Sequence, residues 1–222
     1  RLMFPIIDVR GNVIGFGGRI MNDRDKSAAK YLNSPETKVF DKSRNLYGLN
    51  VARSSRKDYM LICEGYMDVI SLHQAGFNNA VAALGTAFTS RHASLIKRYV
   101  KEVVLTFDSD EAGIKAALRA IPYLRDVGLS IKVLSMKPYK DPDEFIKAMG
   151  KEAYEERIKN ATNYFIFQVG VEEKKYNLDD PQEKTAFHKK VAEMLLDFED
   201  EIERDNYMDS VCSIFKIPKE GL

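Results

Sequence analysis

Between Asp58 and Ser135, short apolar runs alternate with helix-patterned stretches, and this alternation constrains the fold more than any other feature of the chain. Tyr59 to Cys63, Ala80 to Ala83, Val103 to Phe107 and Ser130 to Ser135 read as strands. Met67 to Ala75, Ser90 to Val100 and Glu111 to Val127 read as the helices between and after them. Strands that are apolar and β-branched on both faces belong in a parallel sheet covered by helices on each side. Gly128 is well placed to end the third helix. Ligands of such sheets bind at the carboxyl ends of the strands.

The chain on either side follows other patterns. Phe4 to Val9, a turn at Arg10-Gly11-Asn12 and Val13 to Ile20 predict a β-hairpin, its second strand loosened by Gly15, Gly17 and Gly18. Lys30 to Leu49 predicts an ordered loop with short strands and one helical turn. Beyond residue 150 only helical periodicity remains. Asp180-Pro181-Gln182-Glu183 reads as a helix start, with Phe187, Val191, Met194, Leu195, Phe198 and Ile202 following at helical spacing. The divisions expected are therefore a mixed basic lobe over 1–57, an α/β core over 58–150 and a helical bundle over 151–222. Charge follows the same divisions: residues 1–57 carry 12 Lys/Arg against 5 Asp/Glu, residues 58–150 carry 11 of each, and residues 151–222 carry 11 against 17. Basic charge concentrated at one end, interleaved with aromatics, suits a polyanionic partner. The opening residues, without an initiator Met, read as the interior of a longer protein. No apolar run approaches membrane-spanning length, so a cytoplasmic protein with no membrane partner is expected.

Acidic residues gather where the pattern places strand ends. Glu64 closes the first strand of the core, and Asp68 lies one helical turn further on, past Gly65. Asp108 and Asp110 follow the third strand, with Ala112-Gly113 allowing the next helix to pack closely. Asp141 and Asp143 lie between the last strand and another helix. Any one of these acids could be a helix cap. Carboxylates gathered at one sheet edge repel one another and raise each other's pKa unless a cation neutralises them. Mg²⁺ prefers hard oxygen ligands and keeps waters and substrate phosphates in its shell. Two such ions roughly 3.5–4 Å apart would activate an attacking hydroxyl and stabilise the leaving oxygen of an in-line phosphoryl displacement.

Glu64-Gly65-Tyr66-Met67-Asp68-Val69, followed by Phe107-Asp108-Ser109-Asp110-Glu111-Ala112-Gly113, resembles the Toprim domain shared by primases, topoisomerases and some nucleases. Phe4-Pro5-Ile6, Gly15-Phe16-Gly17-Gly18-Arg19, the run from Lys30 to Thr37 and Leu46-Tyr47-Gly48-Leu49 resemble bacterial replicative primases of the DnaG type. The resemblance extends over essentially the whole chain. Ser109 and Tyr139-Lys140 depart from the commonest family pattern without removing a carboxylate.

The resemblance implies a multi-subdomain α+β protein whose Toprim core has a largely parallel sheet. It implies a primer-making, DNA-directed RNA polymerase that acts on a single-stranded DNA template, an RNA primer and ribonucleoside triphosphates, in the cytoplasm near the nucleoid and replisome. Glu64, Asp108 and Asp110 would be the catalytic metal ligands, with Asp68, Asp141 and Asp143 completing the acidic cluster. Arg19, Lys30, Tyr31 and Lys42 would contact nucleic acid or nucleotide phosphates. Mg²⁺, or Mn²⁺ in its place, would be the cofactor. A zinc module and the contact for a replicative helicase would lie outside this chain.

Gly15-Phe16-Gly17-Gly18 is not followed by a helix bearing Lys-Ser/Thr and reads as a strand rather than a phosphate loop. His73, His92 and His188 share no metal spacing and are expected to be partly exposed helix residues. Cys63 and Cys212 read as buried thiols, too few for a zinc ribbon. Lys30, Lys38, Lys42 and Arg44 are interleaved with Tyr31, Phe40 and Tyr47, which would offer rings for unpaired bases. The alternatives are a nuclease using the same acids and a non-catalytic single-stranded DNA-binding module. A topoisomerase would need a tyrosine nucleophile on a separate domain, and no tyrosine here has that context.

Overall fold

The computed structural model describes residues 1–21 and 29–219. It divides into two compact units, residues 1–161 and 162–222. The first unit opens with strands β1 (Leu2–Ile7), β2 (Val13–Arg19) and β3 (Tyr31–Asn33), an antiparallel sheet in that order. The hairpin turn forms where predicted. Asp8 Oδ1 accepts the N–H groups of Arg10 (2.8 Å) and Asn12 (2.9 Å), while Gly11 supplies the positive φ that the turn needs.

The glycines of β2 do more than loosen the strand. A Cβ at Gly17 would stand 3.0 Å from the Tyr66 ring, and one at Gly15 would stand 3.1 Å from the Phe40 ring. Both rings thus lie directly on the strand backbone. Phe40 is wholly buried and forms a small core with Ile6 and Leu84. This corrects the expectation that Phe40 offers a surface for stacking, and Tyr47, half-buried against the same core, is equally withdrawn. Of the three rings interleaved with Lys30, Lys38, Lys42 and Arg44, Tyr31 remains open, at 40% exposure.

The parallel sheet consists of β4 (Tyr59–Cys63), β5 (Ala80–Ala82), β6 (Glu102–Leu105) and β7 (Ser130–Val133), hydrogen-bonded in the order β5-β4-β6-β7. Tyr47 exchanges backbone hydrogen bonds with Ala82 (2.8 and 3.1 Å), which covers the free edge of β5. Helices α1 (Leu49–Ala52), α2 (Tyr66–Gln74), α3 (Ser90–Ile96), α4 (Glu111–Asp126) and α5 (Pro142–Lys159) complete this unit. In α5 the helical backbone is interrupted at Gly150, whose φ is 82°. The end of α4 is a Schellman motif: Leu129 N–H donates to Leu124 O (3.1 Å) and Gly128 N–H to Arg125 O (2.7 Å).

The main core joins Leu61, Val69, Leu72, Phe77, Val104, Phe145 and Tyr154. The Tyr154 hydroxyl, fully enclosed, shares a 2.8 Å hydrogen bond with Thr106 Oγ1. One buried titratable group departs from expectation. His92 has no exposed surface; its Nε2 lies 2.8 Å from Lys42 O, fastening the loop before α1 to α3. His73 and His188 are partly exposed, as expected.

The second unit holds α6 (Tyr164–Glu173), α7 (Pro181–Leu195) and α8 (Glu201–Phe215). A two-residue strand, Thr162–Asn163, precedes them, although no strand was expected beyond residue 150. Asp180 caps α7 by accepting from Gln182 N (2.8 Å) and Glu183 N (2.9 Å), with Pro181 in the first turn. Phe187, Val191, Leu195 and Val211 are buried, and Phe198 stacks on Tyr207 at 4.5 Å. Cys63 is buried as expected, whereas Cys212 is only half-buried. Among the described residues, no helix is long and apolar enough to cross a membrane.

Candidate active site

The parallel register sets the β4 and β6 ends side by side, since Ile62 pairs with Leu105 and Leu105 with Val133. Glu64 therefore leaves the sheet next to Asp108. Its Oε1 accepts the Asp108 backbone N–H at 2.9 Å, so the carboxylate itself ties the two strand ends together. Ser109 N–H in turn donates to Lys140 O (2.8 Å), drawing in the β7–α5 connection that ends at Asp141 and the first turn of α5 that carries Asp143.

Glu64, Asp68, Asp108, Asp141 and Asp143 all line one cleft of about 320 Å³, and Arg19, Lys30 and Tyr31 stand on its wall. The expected convergence thus includes five of the six acids and three of the four basic-lobe residues. Two expected residues are not among those lining the cleft. Asp110 caps α4, its Oδ1 accepting from Gly113 N at 2.9 Å, as Asp141, which does line the cleft, caps α5. Lys42 belongs to the loop held by His92.

Sequence reasoning overlooked Asn33, Tyr66 and Lys140, which also line the cleft. Asn33 and Tyr66 lie within the motifs quoted above, but strand and helix patterns carry no sign of what a side chain faces. The Tyr66 hydroxyl and Asn33 Oδ1 are buried without a hydrogen-bond partner among the described residues. Buried polar atoms of this kind are costly unless a ligand or water satisfies them.

The electrostatics are those of crowded acids. Burial pushes Asp68 up to about 7, with the charges of Asp141 and Asp108 adding to the rise. Burial also raises Glu64 and Asp108, and the nearby Asp110 charge adds to both. Lys140 Nζ, 3.6 Å from Asp108 Oδ2, offsets part of this. Asp143 stays below the ordinary carboxylate range: burial opposes this, but hydrogen bonds from Lys147 and Ser71 prevail.

Among the described residues, no three His, Cys, Asp or Glu side chains stand together as a ready metal cage. The donor set nonetheless suits a hard divalent cation, being all carboxylate oxygen and carrying uncompensated negative charge. Glu64, Asp68 and Asp108 are the acids whose carboxyls burial and neighbouring acids push upward, the groups a cation would relieve.

The raised pKa of Asp68 gives a test. Its carboxyl is protonated in both folded and unfolded chains below about pH 4. Between about pH 4 and 7 only the folded state keeps the proton, so stability falls as pH rises through that window. Asp68→Asn should stabilise the metal-free chain by about 2 kcal/mol at pH 8 and by nothing at pH 4. Urea melts at the two pH values measure this; equal effects at both would refute the burial argument.

Comparison with known proteins gives consistent matches. The model of the DNA primase catalytic core, N-terminal domain, matches residues 1–53, a Toprim-like model matches 61–146, and the DnaB-helicase binding domain of primase matches 165–220. A DNA primase of Clostridium acetobutylicum is 44% identical over 100% of this chain and 37% of its own length. The structure of a DnaG primase catalytic domain bound to ssDNA aligns with a TM-score of 0.78 and 37% identity, over 96% of this chain and 69% of that one.

The chain belongs to the bacterial DnaG primase family.

A further family member, the RNA polymerase domain of Mycobacterium tuberculosis primase DnaG in complex with double-stranded DNA, aligns with a TM-score of 0.86 and 30% identity, over 98% of this chain and 71% of that one. The Toprim-containing α/β fold is thereby established. The chain spans only 37% of the C. acetobutylicum primase. The match over 165–220 corrects the expectation that the helicase-binding region of such primases lies outside this chain: the helices read as a plain bundle are the segment that the model describes.

Proposed function

We propose that this chain is the catalytic part of a primase, making short RNA primers on single-stranded DNA by in-line nucleotidyl transfer from ribonucleoside triphosphates. The observation that supports it is the single cleft shared by five carboxylates and by Arg19, Lys30 and Tyr31. The proposed division of labour places the basic lobe in 1–57, the metal-binding core in 58–150 and the helical bundle in 151–222. Glu64 and Asp108 would hold Mg²⁺, or Mn²⁺ in its place, with Asp68, Asp141 and Asp143 beside them and Asp110 adding its charge from the α4 cap. When bound, the cation supplies charge neutralisation and Lewis acidity for attack and departure at phosphorus. Asp68, pushed up to about 7 by burial and so still partly protonated near neutral pH, can give up its proton as positive charge enters the cleft.

Arg19 and Lys30 flank the Tyr31 ring, each 5.9 Å from its centroid. Two cations around an open ring can hold a phosphate while a base stacks. Lys42, on its separate loop, is proposed as a more distant phosphate contact. The helices of 165–220 would engage a replicative helicase, in the cytoplasm at the replisome.

The test is to incubate the full chain with single-stranded template, ribonucleotides and Mg²⁺ or Mn²⁺. Short RNA products are expected. Template fragments would instead identify a nuclease, and binding without either product a non-catalytic module. Lys30→Ala should weaken single-strand binding about three- to tenfold at low salt and reduce the salt slope by about 0.7, the release expected for one phosphate contact. Binding titrations over a salt series would show it, and an unchanged slope would remove Lys30 from strand binding.

A further inference from the structure

A second cationic surface lies outside the acidic cleft. Arg44, Arg91 and Arg98 border an open depression of about 420 Å³ with Ser90, Ser94 and Leu95, and no acid is among the residues lining it. Asp41, a carboxylate beside it, is already engaged: it lies 3.3 Å from Arg44 and 3.6 Å from Arg91, and it accepts from Ser43. The Arg98 side chain has no ion pair or hydrogen bond among the described residues, and its backbone N–H donates to Leu95 O at 3.3 Å. Surface arginines are usually just solvated, but here the loop bearing Arg44 is fixed to α3 from beneath. Buried His92 meets Lys42 O at 2.8 Å, and Arg91 donates to Ser43 Oγ at 3.1 Å. The loop is thus held against α3 by a buried imidazole, and with Asp41 offsetting one of the three arginine charges, two remain in excess to favour an anion. Arginine's planar fork suits phosphate oxygens, and the Ser90 and Ser94 hydroxyls add donors.

The connection from β5 to α3 gives this surface a route to the cleft. Ala83 and Gly85 line the acidic cleft, Thr86, Ala87 and Phe88 line an intermediate hollow that also holds Arg119, and Ser90 and Arg91 line the depression. From Gly85 to Ser90 the backbone can span no more than about 18 Å. That is about five nucleotides at the rise of one B-form strand, and fewer if the strand is extended.

We propose that the depression bordered by Arg44, Arg91 and Arg98 grips the phosphates of single-stranded nucleic acid after it leaves the acidic cleft. The proposal rests on the function argued above and adds a second, sequence-independent contact to it. A strand that reaches the depression gains affinity; one confined to the cleft does not.

The experiment measures binding of the full chain to single-stranded DNA of about 4 and about 16 nucleotides, from about 50 to 200 mM salt. Arg98→Gln, which removes no side-chain hydrogen bond or ion pair among the described residues, should weaken binding of the longer strand severalfold. Adding Arg91→Gln should weaken it at least about tenfold and lower the salt slope by about 1.4, or 0.7 for each lost contact. Arg98→Lys should restore most of the affinity. Lys159→Gln, a charge-matched change at an exposed helix end, should alter neither value. Parent-like affinity and slope in Arg98→Gln and in the double variant would overturn the proposal. An equal loss for short and long strands would also overturn it, by assigning the arginines to the cleft. If the parent binds neither strand, the primase reading falls with it; if only the arginine variants are silent, that reading stands.

Discussion

Glu64→Gln and Asp108→Asn should each abolish primer synthesis, by about a thousandfold or more, while leaving the fold intact. The two carboxylates occupy neighbouring strand ends and share the cleft, so removing either charge takes a hard oxygen donor from the place where phosphate and cation must meet. Structure should survive for reasons specific to each position. Gln at 64 can still accept the Asp108 N–H through its amide oxygen, preserving the 2.9 Å tie between β4 and β6. Asn at 108 loses only the 3.6 Å pairing with a largely exposed Lys140, which contributes little in water. Burial also raises both acids, so neutral replacements relieve a cost. Thermal melts should therefore stay within about 1 kcal/mol of the parent in stability and could rise above it. Polymerisation by both variants at the parental rate would remove these residues from the chemistry. Loss of activity accompanied by unfolding would leave Glu64 as a brace between strands, a distinction that near-parental melts decide.

What was legible in the sequence divides along physical lines. Elements defined by local periodicity are mostly found within a residue or two of expectation: β4 has the predicted bounds, α4 ends on the glycine cap, and α7 starts at Asp180-Pro181, whereas α3 stops at Ile96, four residues short of Val100. Local hydrogen bonding decides those features. Features decided by distant partners were not legible. Phe40 lies in a polar stretch, yet β2 has no Cβ at Gly15 and receives its ring, so an apparent stacking residue belongs to the core. His92 looks like any helical histidine until the carbonyl of Lys42 is found against it. The acids show both kinds. Strand-end placement predicted the gathering of Glu64, Asp68, Asp108, Asp141 and Asp143, because a parallel sheet brings all its carboxyl ends to one edge. Which carboxylates reach the cleft was not legible: Asp110 caps α4 and does not line it, whereas Asp141 caps α5 in the same way and does.

Gly113→Ala should be among the most damaging single-methyl changes in the chain. In an ordinary helix interior this replacement gains up to about 1 kcal/mol from the better helix propensity of alanine. Here the new Cβ would stand 2.1 Å from the Asp108 carbonyl oxygen, 2.8 Å from its carbon and 2.7 Å from Glu64 Oε1. Two of those atoms are backbone and cannot rotate aside, so α4 must retreat from the strand end or Asp108 must move. Overpacking of this sort costs about 3 kcal/mol, more than the propensity gain can offset. The displacement falls on the two carboxylates of the first prediction, so activity should drop by at least about a hundredfold even in the fraction that remains folded, since about 1 Å of misplacement has an effect of that size. Denaturant melts separate the two effects. The stability loss should appear in the midpoint, and the activity loss should persist at temperatures where the melt shows a fully folded chain. A variant as stable and as active as the parent would show that α4 does not pack against the β6 end as closely as described. The close approach of that helix, and with it the placement of Glu64 against Asp108, would then be wrong.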